Sequence, residues 1–335
     1  MKDDLPLVTV LIPARNEEAD IVACLDAVLA QDWPHDRLEV ILVDGASTDA
    51  TVEIARGLLG GADLARWQVL ENAAATTPSN LNVGLAAATG AHICRVDSRS
   101  LVQPDHVRRC SDVLRCRPEV AVVGGAQVAR PAGRSPREIG IARALNNPWA
   151  TGLARYRRAG TSGPTETVYL GAFRRCDLLR CGGWDPRFHT NQDFELNQRL
   201  RARGDVWFDA GLRTPYTPRR TVRSLFAQYH RFGRWKVRFW RVTGRRPVSR
   251  QVLALASVPV AAATFIGLFV LSGRRLRLVS SALALAIVFE DRGTTLRRGG
   301  LVSRGFGLLA ALATTMGWWT GALREAVLGG ARDPG

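Results

Sequence analysis

Three acidic residues that can accept hydrogen bonds from a nucleoside, hold a metal ion or move a proton lie far apart in the chain, each within a short polar motif. Asp44 opens the motif DGASTD, Asp97 lies at the centre of RVDSR, and Asp193 lies at the centre of NQDFE. A carboxylate at the end of a strand can accept hydrogen bonds from a base or ribose, or hold a divalent ion that bridges two phosphates. A carboxylate that opens a helix can instead serve as a general base.

Each motif also has a purely structural interpretation. DGASTD fits an ordinary Asp-Gly turn, Asp97 fits the exposed end of a strand, and Asp193 fits the capping of a helix N-terminus. A fourth motif, PARNEE, begins at Pro13 and can offer backbone amides and the side chains of Asn16 and Glu17 to a ligand, although Asn16 can equally cap a helix. No motif decides by itself between a ligand site and local structure.

Predicted strands bring these motifs to one edge of a sheet. Runs of apolar and β-branched residues predict buried strands at residues 7–13, 38–43 and 91–96, each followed by one of the motifs. Strands that alternate with helices imply a parallel sheet with right-handed crossovers, in which ligands bind beyond the carboxyl ends of the strands. We therefore expect Asp44 and Asp97 at the same edge.

Other stretches predict the elements that complete the fold. A helix that runs to about residue 59 is expected to be capped by Ser47 or Thr48. Residues 131–163 are rich in Arg, Gly and Pro, which indicates a mobile loop. Further strands are predicted at residues 67–70, 120–128 and 167–173, and further helices at residues 16–30, 80–88, 193–202 and 221–242.

Positive charge is concentrated just before the apolar C-terminal part of the chain. Residues 201–250 carry 14 Lys and Arg residues and 2 acids, which is +12 of the chain's net charge of +16. Such a run can bind nucleic acid or an anionic membrane surface. Because it directly precedes an apolar segment and no nucleic-acid motif accompanies it, we expect a membrane and no nucleic acid as partner. Residues 221–242 are predicted to form a basic amphipathic helix in the membrane interface.

Two uncharged segments are long enough to span a bilayer. Residues 252–272 and 305–323 contain 21 and 19 residues without a charge. Residues 278–289 contain only 12, which cover about 18 Å of a roughly 30 Å hydrocarbon core. The predicted organisation is a catalytic domain at residues 1–218, a basic interfacial helix region at 219–250, and two to three membrane helices within 251–329.

The cysteines and the N-terminus indicate an intracellular chain. The six cysteines form no CxxC pair and have no nearby His at zinc spacing, so we expect free thiols in a reducing compartment. The N-terminal MKDDLPLVTV is acidic and its apolar run is short, so we expect no signal peptide.

Together, the order and spacing of the four motifs resemble family 2 glycosyltransferases of the GT-A fold. The resemblance covers about residues 8–240 and rests on VTVLIPARNEE, EVILVDGASTDATVEIA, NLNVGLAAATGAHICRVDSRS, VGG and GGWDPRFHTNQDFELNQRLRARG. Within the family, RVDSRSLVQPDHV and TPRRTVRSLFAQYHRFGRWK look most similar to bacterial succinoglycan-type exopolysaccharide glycosyltransferases. The resemblance implies an α/β fold, in which a Rossmann-like mixed sheet has helices on both faces, plus C-terminal transmembrane helices.

The resemblance also implies a role for each matching residue. Asp193 would be the catalytic base that takes the proton from the acceptor hydroxyl, and Asp97 would hold Mg²⁺ or Mn²⁺. The nucleotide sugar would be bound by Pro13, Ala14, Asn16, Glu17, Asp44, Asn82, Arg95, Asp97 and Arg99. The acceptor side would be formed by Trp184, Gln192, Arg231 and Trp235.

Three positions depart from the motifs of the family that the chain resembles. The usual DxD is here Asp97-Ser-Arg99, and Arg99 cannot bind a cation. It would either neutralise the leaving diphosphate, or point away and leave Asp97 to hold the metal with water and phosphates. The usual Glu-Asp pair is Gln192-Asp193, which loses a charge but keeps the base. The QxxRW motif of processive synthases is imperfect, since Phe follows Arg231, and this favours transfer of a single sugar.

The activity implied by the resemblance is inverting, hexosyltransferase-like transfer from a nucleotide-diphosphate sugar to a lipid-linked saccharide acceptor, in the synthesis of a cell-surface polysaccharide or glycolipid. The expected location is the cell (inner) membrane, with the catalytic domain on the cytoplasmic side. Two alternatives stay open. One is a polyprenyl-phosphate sugar synthase, whose acceptor is a bare lipid phosphate, and the other is a non-catalytic nucleotide-sugar-binding membrane subunit.

Overall fold

The computed structural model describes residues 5–148, 150–151, 155–157, 160–249, 251–256, 258–260 and 300–329. The predicted membrane segment at residues 278–289, and most of the one at 252–272, lie outside the described residues. The strands are β1 (Val8–Ala14), β2 (Leu38–Asp44), β3 (Arg66–Glu71), β4 (His92–Arg95), β5 (Val120–Ala129), β6 (Gly163–Pro164), β7 (Tyr169–Arg174) and β8 (Asp205–Tyr216). The α-helices are α1 (Ile21–Leu29), α2 (Thr51–Gly60), α3 (Thr77–Ala87), α4 (His106–Cys116), α5 (Pro136–Asn146), α6 (Arg175–Arg180), α7 (Gln192–Leu200), α8 (Val222–Thr243) and α9 (Leu301–Leu328).

The strands form one mixed sheet in the order β3-β2-β1-β4-β7-β5-β8-β6. The strands β3, β2, β1 and β4 are parallel, whereas β7 runs antiparallel to β4 and β5, and β6 runs antiparallel to β8. The register pairs Ala14 with Asp44 and Leu11 with Arg95. The carboxyl ends of the parallel strands therefore meet at one edge, and the predicted mixed α/β sheet is confirmed.

Apolar side chains cover both faces of the sheet, because successive residues in a strand point to opposite sides. On one face, Val10 of β1 belongs to a cluster with residues of α1, α2 and α4, including Leu25 and Leu59. On the other face, Leu11 belongs to a cluster with residues of α3, α6 and α7, including Leu81. These side chains are completely buried, which confirms the predicted helices on both faces.

Two predicted helix starts were wrong. α1 begins at Ile21 rather than at residue 16, and α2 begins at Thr51, so neither Ser47 nor Thr48 caps it. Asn16 has a φ of 52°, and this left-handed conformation interrupts the chain between strand and helix. The loops after β1 and β2 are therefore longer than predicted, and both carry site residues.

The described chain divides into two compact units. The first comprises Met1–Val128 and Ala159–Tyr216, and it contains most of the sheet. The second comprises Ala129–Arg158 and Thr217–Gly335. Residues 129–158, which we had assigned to the catalytic domain, thus group with the C-terminal helices.

The predicted mobile loop at residues 131–163 was wrong over the stretch that forms α5. The hydroxyl of Ser135 accepts a hydrogen bond from the backbone N–H of Glu138 at 3.3 Å and donates to the Glu138 carboxylate at 2.7 Å. Pro136 occupies the first turn. A capping Ser followed by Pro and then Glu is a recognised helix start, so the signal was present in the sequence.

In the second unit, α9 packs against α5 and α8 through small residues. A Cβ added to Gly321 would lie 2.0 Å from the carbonyl oxygen of His230 on α8, and one added to Gly140 of α5 would lie 2.6 Å from the backbone of α9. Arg234 of α8 also pairs with Glu325 of α9 at 3.1 Å. Close approach of this kind is typical of helices that associate within a bilayer.

Among the described residues, α9 is the helix that is long and apolar enough to cross a membrane. It has 28 residues and a mean hydropathy of 1.2 in its most apolar window. Only 33% of that window is buried inside the protein. By length and composition, α9 is therefore a candidate membrane-spanning helix.

Candidate active site

Asp44 lies at the sheet edge, where its carboxylate closes its own turn. Its Oδ1 accepts a hydrogen bond from the Ser47 hydroxyl at 2.5 Å, and its Oδ2 accepts one from the Ser47 backbone N–H at 2.8 Å. Only 2% of Asp44 is exposed. Next to it, Pro13 and Ala14 end β1 and are buried, so they can offer a ligand little beyond their backbone.

Hydrogen bonds join the loop after β1 to the loop after β2. The backbone N–H of Asn16 donates to the Ser47 hydroxyl at 2.8 Å, and Oδ1 of Asn16 accepts from the backbone N–H of Thr48 at 2.8 Å. The backbone N–H of Glu17 donates to the hydroxyl of Thr51 at 2.8 Å. The two loops therefore form a single polar rim beside Asp44.

Arg99 is anchored to this rim from one side. Its Nε donates to Oε2 of Glu17 at 2.7 Å and lies 3.8 Å from Oδ2 of Asp20. The hydrogen bond and charge of Glu17 raise the pKa of Arg99 despite partial burial. Within the part of the chain that the structure describes, no protein group pairs with either Nη of Arg99. The guanidinium thus keeps two donor groups for an anion.

Arg95, the last residue of β4, joins Asp97 to Asp193. Its side chain is only 5% exposed. Its Nε donates to Oδ1 of Asp97 at 2.8 Å, and its Nη1 pairs with Oδ1 of Asp193. Burial opposes the charge of Arg95, but the two carboxylates outweigh it and raise the pKa of the guanidinium. The structure therefore brings the predicted metal ligand and the predicted base to one arginine.

The carboxylate of Asp193 is a stronger base than an ordinary aspartate. Its side chain is 42% exposed, yet the surrounding protein atoms desolvate the carboxylate enough to raise its pKa. Arg95 opposes this rise, the charge of Asp97 adds to it, and the indole of Trp184 opposes it. A raised pKa suits a group that must take up a proton during catalysis.

Arg199 fixes the helix that carries Asp193. Its guanidinium makes two hydrogen bonds of 2.6 Å to the carboxylate of Glu195, which is 4% exposed. It also donates to the carbonyl oxygens of Cys181 at 2.6 Å and Gly183 at 2.8 Å. These contacts hold the Gly-Gly turn against the first turns of α7, and so restrain Asp193.

Asn82 and Trp184, which we predicted as ligand residues, bind to each other. Nδ2 of Asn82 donates to the Trp184 carbonyl at 2.7 Å, and Oδ1 of Asn82 accepts from the Trp184 backbone N–H at 2.8 Å. The Trp184 side chain is 0% exposed and packs edge-on against Phe173, with ring centroids 5.8 Å apart. The Trp184 side chain therefore has no surface on which an acceptor could stack, and the pair holds the turn before α7. A contact of Asn82 with the donor stays a prediction.

The remaining predicted acceptor residues are divided between the two units. Gln192 is the first residue of α7 in the first unit and is partly exposed. Arg231 and Trp235 lie on α8 in the second unit. Arg231 is exposed, and the guanidinium of Arg238 lies 5.0 Å from the ring centroid of Trp235. Their roles on the acceptor side stay predictions.

Sequence reasoning missed Tyr169, which supports the loop that carries Asp97. Its hydroxyl shares a hydrogen bond of 2.6 Å with the hydroxyl of Ser100, which is completely buried. Desolvation raises the pKa of Tyr169, so the phenol stays neutral. Tyr169 lies on β7, which pairs with β4. A single tyrosine in a strand gives no sequence signal for such a role, because the partner is known only once the strands are paired.

The residues at this edge fit a divalent cation only if a ligand completes its coordination. The described residues contain no group of three or more His, Cys, Asp or Glu side chains that could hold a metal ion by themselves. Asp97 is 34% exposed, and its pair with Arg95 uses Oδ1. Oxygen ligands from a diphosphate and from water would have to supply the rest.

Comparison with known proteins agrees with the motifs and the fold. The family model described as glycosyl transferase family 2 matches residues 9–177, about half of the chain. The succinoglycan biosynthesis protein ExoA of Rhizobium meliloti (strain 1021) is 28% identical over 75% of this chain and 76% of that protein. The beta-monoglucosyldiacylglycerol synthase of Nostoc sp. (strain PCC 7120 / SAG 25.82 / UTEX 2576) is 28% identical over 70% of this chain and 49% of that protein.

A solved structure shares the fold over nearly the whole chain. The mannosyltransferase PcManGT from Pyrobaculum calidifontis, in complex with GDP-Man and Mn²⁺, has a TM-score of 0.67. It is 20% identical and covers 98% of this chain and 89% of its own. At this identity the similarity concerns the fold, and the predicted GT-A fold is confirmed.

Proposed function

Since this chain belongs to glycosyl transferase family 2, we propose that it transfers a sugar, with inversion, from a nucleotide-diphosphate sugar to a lipid-linked saccharide acceptor. The product would be an intermediate of a cell-surface polysaccharide or glycolipid. One observation carries the proposal: Asp97 and Asp193, which are distant in the chain, both pair with Arg95 at the carboxyl end of β4.

The donor would bind over the edge formed by the loops after β1, β2 and β4. The parallel register of these strands supports this placement, since it brings their ends together. The open Nη groups of Arg99 suit a diphosphate, because a guanidinium can donate two parallel hydrogen bonds to phosphate oxygens. The nucleoside would contact the rim built from Pro13, Ala14, Asn16, Glu17 and Asp44.

Asp193 would act as the general base. It would accept the proton of the acceptor hydroxyl while the hydroxyl oxygen attacks the anomeric carbon from the side opposite the donor phosphate. The bond between that carbon and the phosphate oxygen breaks, and its electron pair leaves with the nucleoside diphosphate. The raised pKa of Asp193 supports this assignment, since a base transfers protons best when its pKa approaches the working pH.

Negative charge develops on the leaving diphosphate and must be stabilised. Asp97 would hold a Mg²⁺ or Mn²⁺ ion, which supplies positive charge to the diphosphate when bound. The Mn²⁺ in the solved structure of the similar mannosyltransferase supports this role. Arg99 would add a second positive charge at the same phosphates.

A membrane location fits an amphiphilic acceptor. The names of two relatives refer to succinoglycan biosynthesis and to a monoglucosyldiacylglycerol. The exposed apolar surface of α9 and the basic residues of 201–250 support attachment to an anionic membrane, which we place at the cytoplasmic side of the cell (inner) membrane. Gln192, Arg231 and Trp235 keep the roles toward the acceptor that the resemblance implies. A bilayer would concentrate the lipid-linked acceptor near the base and lower the entropic cost of encounter.

The test uses the purified full chain in lipid nanodiscs with a nucleotide sugar and lipid-linked saccharides. We expect release of nucleoside diphosphate, loss of this release in Asp193→Asn by at least about 10²-fold, and nearly unchanged binding of the nucleotide. Asp112→Asn is the matched control, because Asp112 is 47% exposed on α4, away from Arg95, and its ion pair with Arg115 is long at 3.7 Å.

Three results would contradict the proposal. Full turnover by Asp193→Asn would show that Asp193 is not the general base. Absence of nucleoside diphosphate release from the wild type would favour a nucleotide-sugar-binding subunit. A lipid product that carries a single sugar on a bare phosphate, seen by mass spectrometry, would favour a polyprenyl-phosphate sugar synthase.

A further inference from the structure

Arg95 occupies an unusual position for a residue that the sequence assigns to donor binding. Its side chain is 5% exposed, so little of the guanidinium is accessible to a nucleotide sugar. Among the described residues, its two hydrogen-bond partners are acids of the proposed site, Asp97 on the donor side and Asp193 on the acceptor side. Arg99, by contrast, is 44% exposed and keeps two nitrogen donors for an anion.

The positive charge of Arg95 also offsets the repulsion between the carboxylates of Asp97 and Asp193. Asp97 and Asp193 pair with the same guanidinium, so their two negative charges lie close together and repel one another. A buried cation between them offsets this repulsion and orients both groups. Arginine suits this position better than lysine, because its planar fork can hold two carboxylates in fixed directions.

The pairing remains balanced while the reaction proceeds. When Asp193 accepts the proton from the acceptor hydroxyl, it loses its negative charge. Arg95 then still has Asp97 as a counter-ion, so proton transfer does not leave an unpaired buried guanidinium, which would be costly. A carboxylate has two oxygens, so the pair through Oδ1 does not prevent Oδ2 of Asp193 from taking the proton.

We propose that Arg95 is a positioning residue, which holds the base Asp193 in register with the donor-side acid Asp97, and that it does not bind the donor itself. This inference rests on the proposed function. It changes the role of Arg95 from donor binding to positioning. Of the two arginines at the end of β4 and in the loop that follows it, only Arg99 would then contact the diphosphate.

The experiment separates turnover from donor affinity in the full chain in nanodiscs. We measure kcat from nucleoside diphosphate release at saturating donor and acceptor, and Kd by calorimetric titration with UDP and with GDP. The variants are Arg95→Met, which removes the charge, and Arg95→Lys, which keeps a charge but not the fork. Arg174→Met is the matched control, since Arg174 lies on the neighbouring strand β7 and donates to the carbonyls of Leu114, Arg117 and Val120.

We expect Arg95→Met to lower kcat by about 10²-fold, as a misplaced catalytic group does, while Kd for the nucleotide changes by less than about threefold. Arg95→Lys should recover part of the lost kcat, again with unchanged Kd. Arg174→Met should lower the melting temperature and leave kcat of the folded protein unchanged. If Arg95→Met does not fold, Arg95→Lys decides, with an expected loss in kcat of at least about fivefold.

Two results would overturn the inference. A rise in Kd of about tenfold or more with kcat retained would make Arg95 a donor ligand. Wild-type kcat in Arg95→Lys, or equal loss of kcat in Arg95→Met and Arg174→Met, would make its role purely structural. A wild-type protein without turnover would overturn the proposed function, and with it the inference.

Discussion

At the scale of single residues, the environment of Asp193 sets the pH range in which its carboxylate can accept a proton. Desolvation and the charge of Asp97 raise its pKa, and these effects outweigh Arg95 and Trp184. A carboxyl with a raised pKa is protonated at a higher pH than a free aspartic acid, and the protonated form cannot accept the acceptor's proton. Activity should therefore fall, as pH is lowered, before an ordinary aspartate would titrate.

The prediction is that the acidic limb of kcat/KM lies above the ordinary aspartate pKa of about 3.9. The measurement is the initial rate over about pH 4 to 8, with the melting temperature followed at each pH so that unfolding is not mistaken for titration. A limb at or below the ordinary value, in protein that stays folded, would contradict the assignment of Asp193 as base.

The motifs alone selected the acidic side chains as candidates, because each follows a predicted strand or opens a predicted helix. They did not predict the partners of Asn82, Trp184 or Arg95. Asn82 and Trp184 look polar or aromatic and therefore available, yet they bond to each other across two distant segments. Arg95 finds its partners only after α7 is placed beside β4. In all three cases the partner is set by tertiary packing, which the sequence alone does not show.

At the scale of secondary structure, the VGG motif shows how a glycine allows two neighbouring strands, β5 and β8, to approach closely. A Cβ added to Gly125 of β5 would lie 2.0 Å from the carbonyl oxygen of Leu212 on β8. The pairing of β5 with β7 also shifts register between Val123 and Gly125. Since the obstructing atom belongs to the backbone, a side chain at this position would force the strands apart.

We predict that Gly125→Ala destabilises the protein by about 1–3 kcal/mol and lowers its melting temperature. Gly57→Ala is the matched control. Gly57 lies inside α2, with nothing within 4 Å of an added Cβ, so alanine should stabilise the helix by about 0.5–1 kcal/mol. Thermal unfolding of both variants checks the pair. Equal or higher melting temperatures for Gly125→Ala than for the wild type would show that β8 moves aside freely.

Two elements were missed by the sequence analysis, for different reasons. α4 buries Val107, Cys110 and Leu114 at helical spacing, so its pattern was present in the sequence. β8 runs over 12 residues and includes Gly211 and charged side chains, which weakens a strand pattern. β8 is stabilised by what it packs against, and that information lies elsewhere in the chain.

At the scale of the whole molecule, the boundary of the catalytic part could not be derived from composition. Residues 129–158 resemble a polar insertion, but α5 within them packs on α9, which follows more than a hundred residues later. The pairing depends on Gly140 and the small residues of α9. Small residues at a contact between helices give no hydrophobic signal. The sequence therefore indicated a catalytic domain and an apolar C-terminal part, but not that residues 129–158 group with the C-terminal part.

The length of α9 leads to a prediction about membrane attachment, which distinguishes a spanning helix from attachment by basic residues alone. With 28 residues, α9 is about 42 Å long, more than the roughly 30 Å of a hydrocarbon core. Large apolar side chains stay exposed along it, among them Leu309, Leu312 and Leu323. A protein held only by its basic residues would leave the membrane in high salt, whereas a spanning helix resists both salt and alkaline carbonate.

We therefore expect the full chain to stay in the membrane pellet after both washes and to need detergent for release. The contribution of α9 itself can be measured by insertion of its sequence in a reporter protein. Leu312→Arg, near the middle of the helix, should reduce insertion, since a central arginine costs about 2.5–3.5 kcal/mol. Leu328→Arg is the matched control, because an arginine at the helix end reaches the interface at little cost. Release of the wild type by carbonate, or equal insertion of the two variants, would mean that α9 lies on the membrane rather than across it.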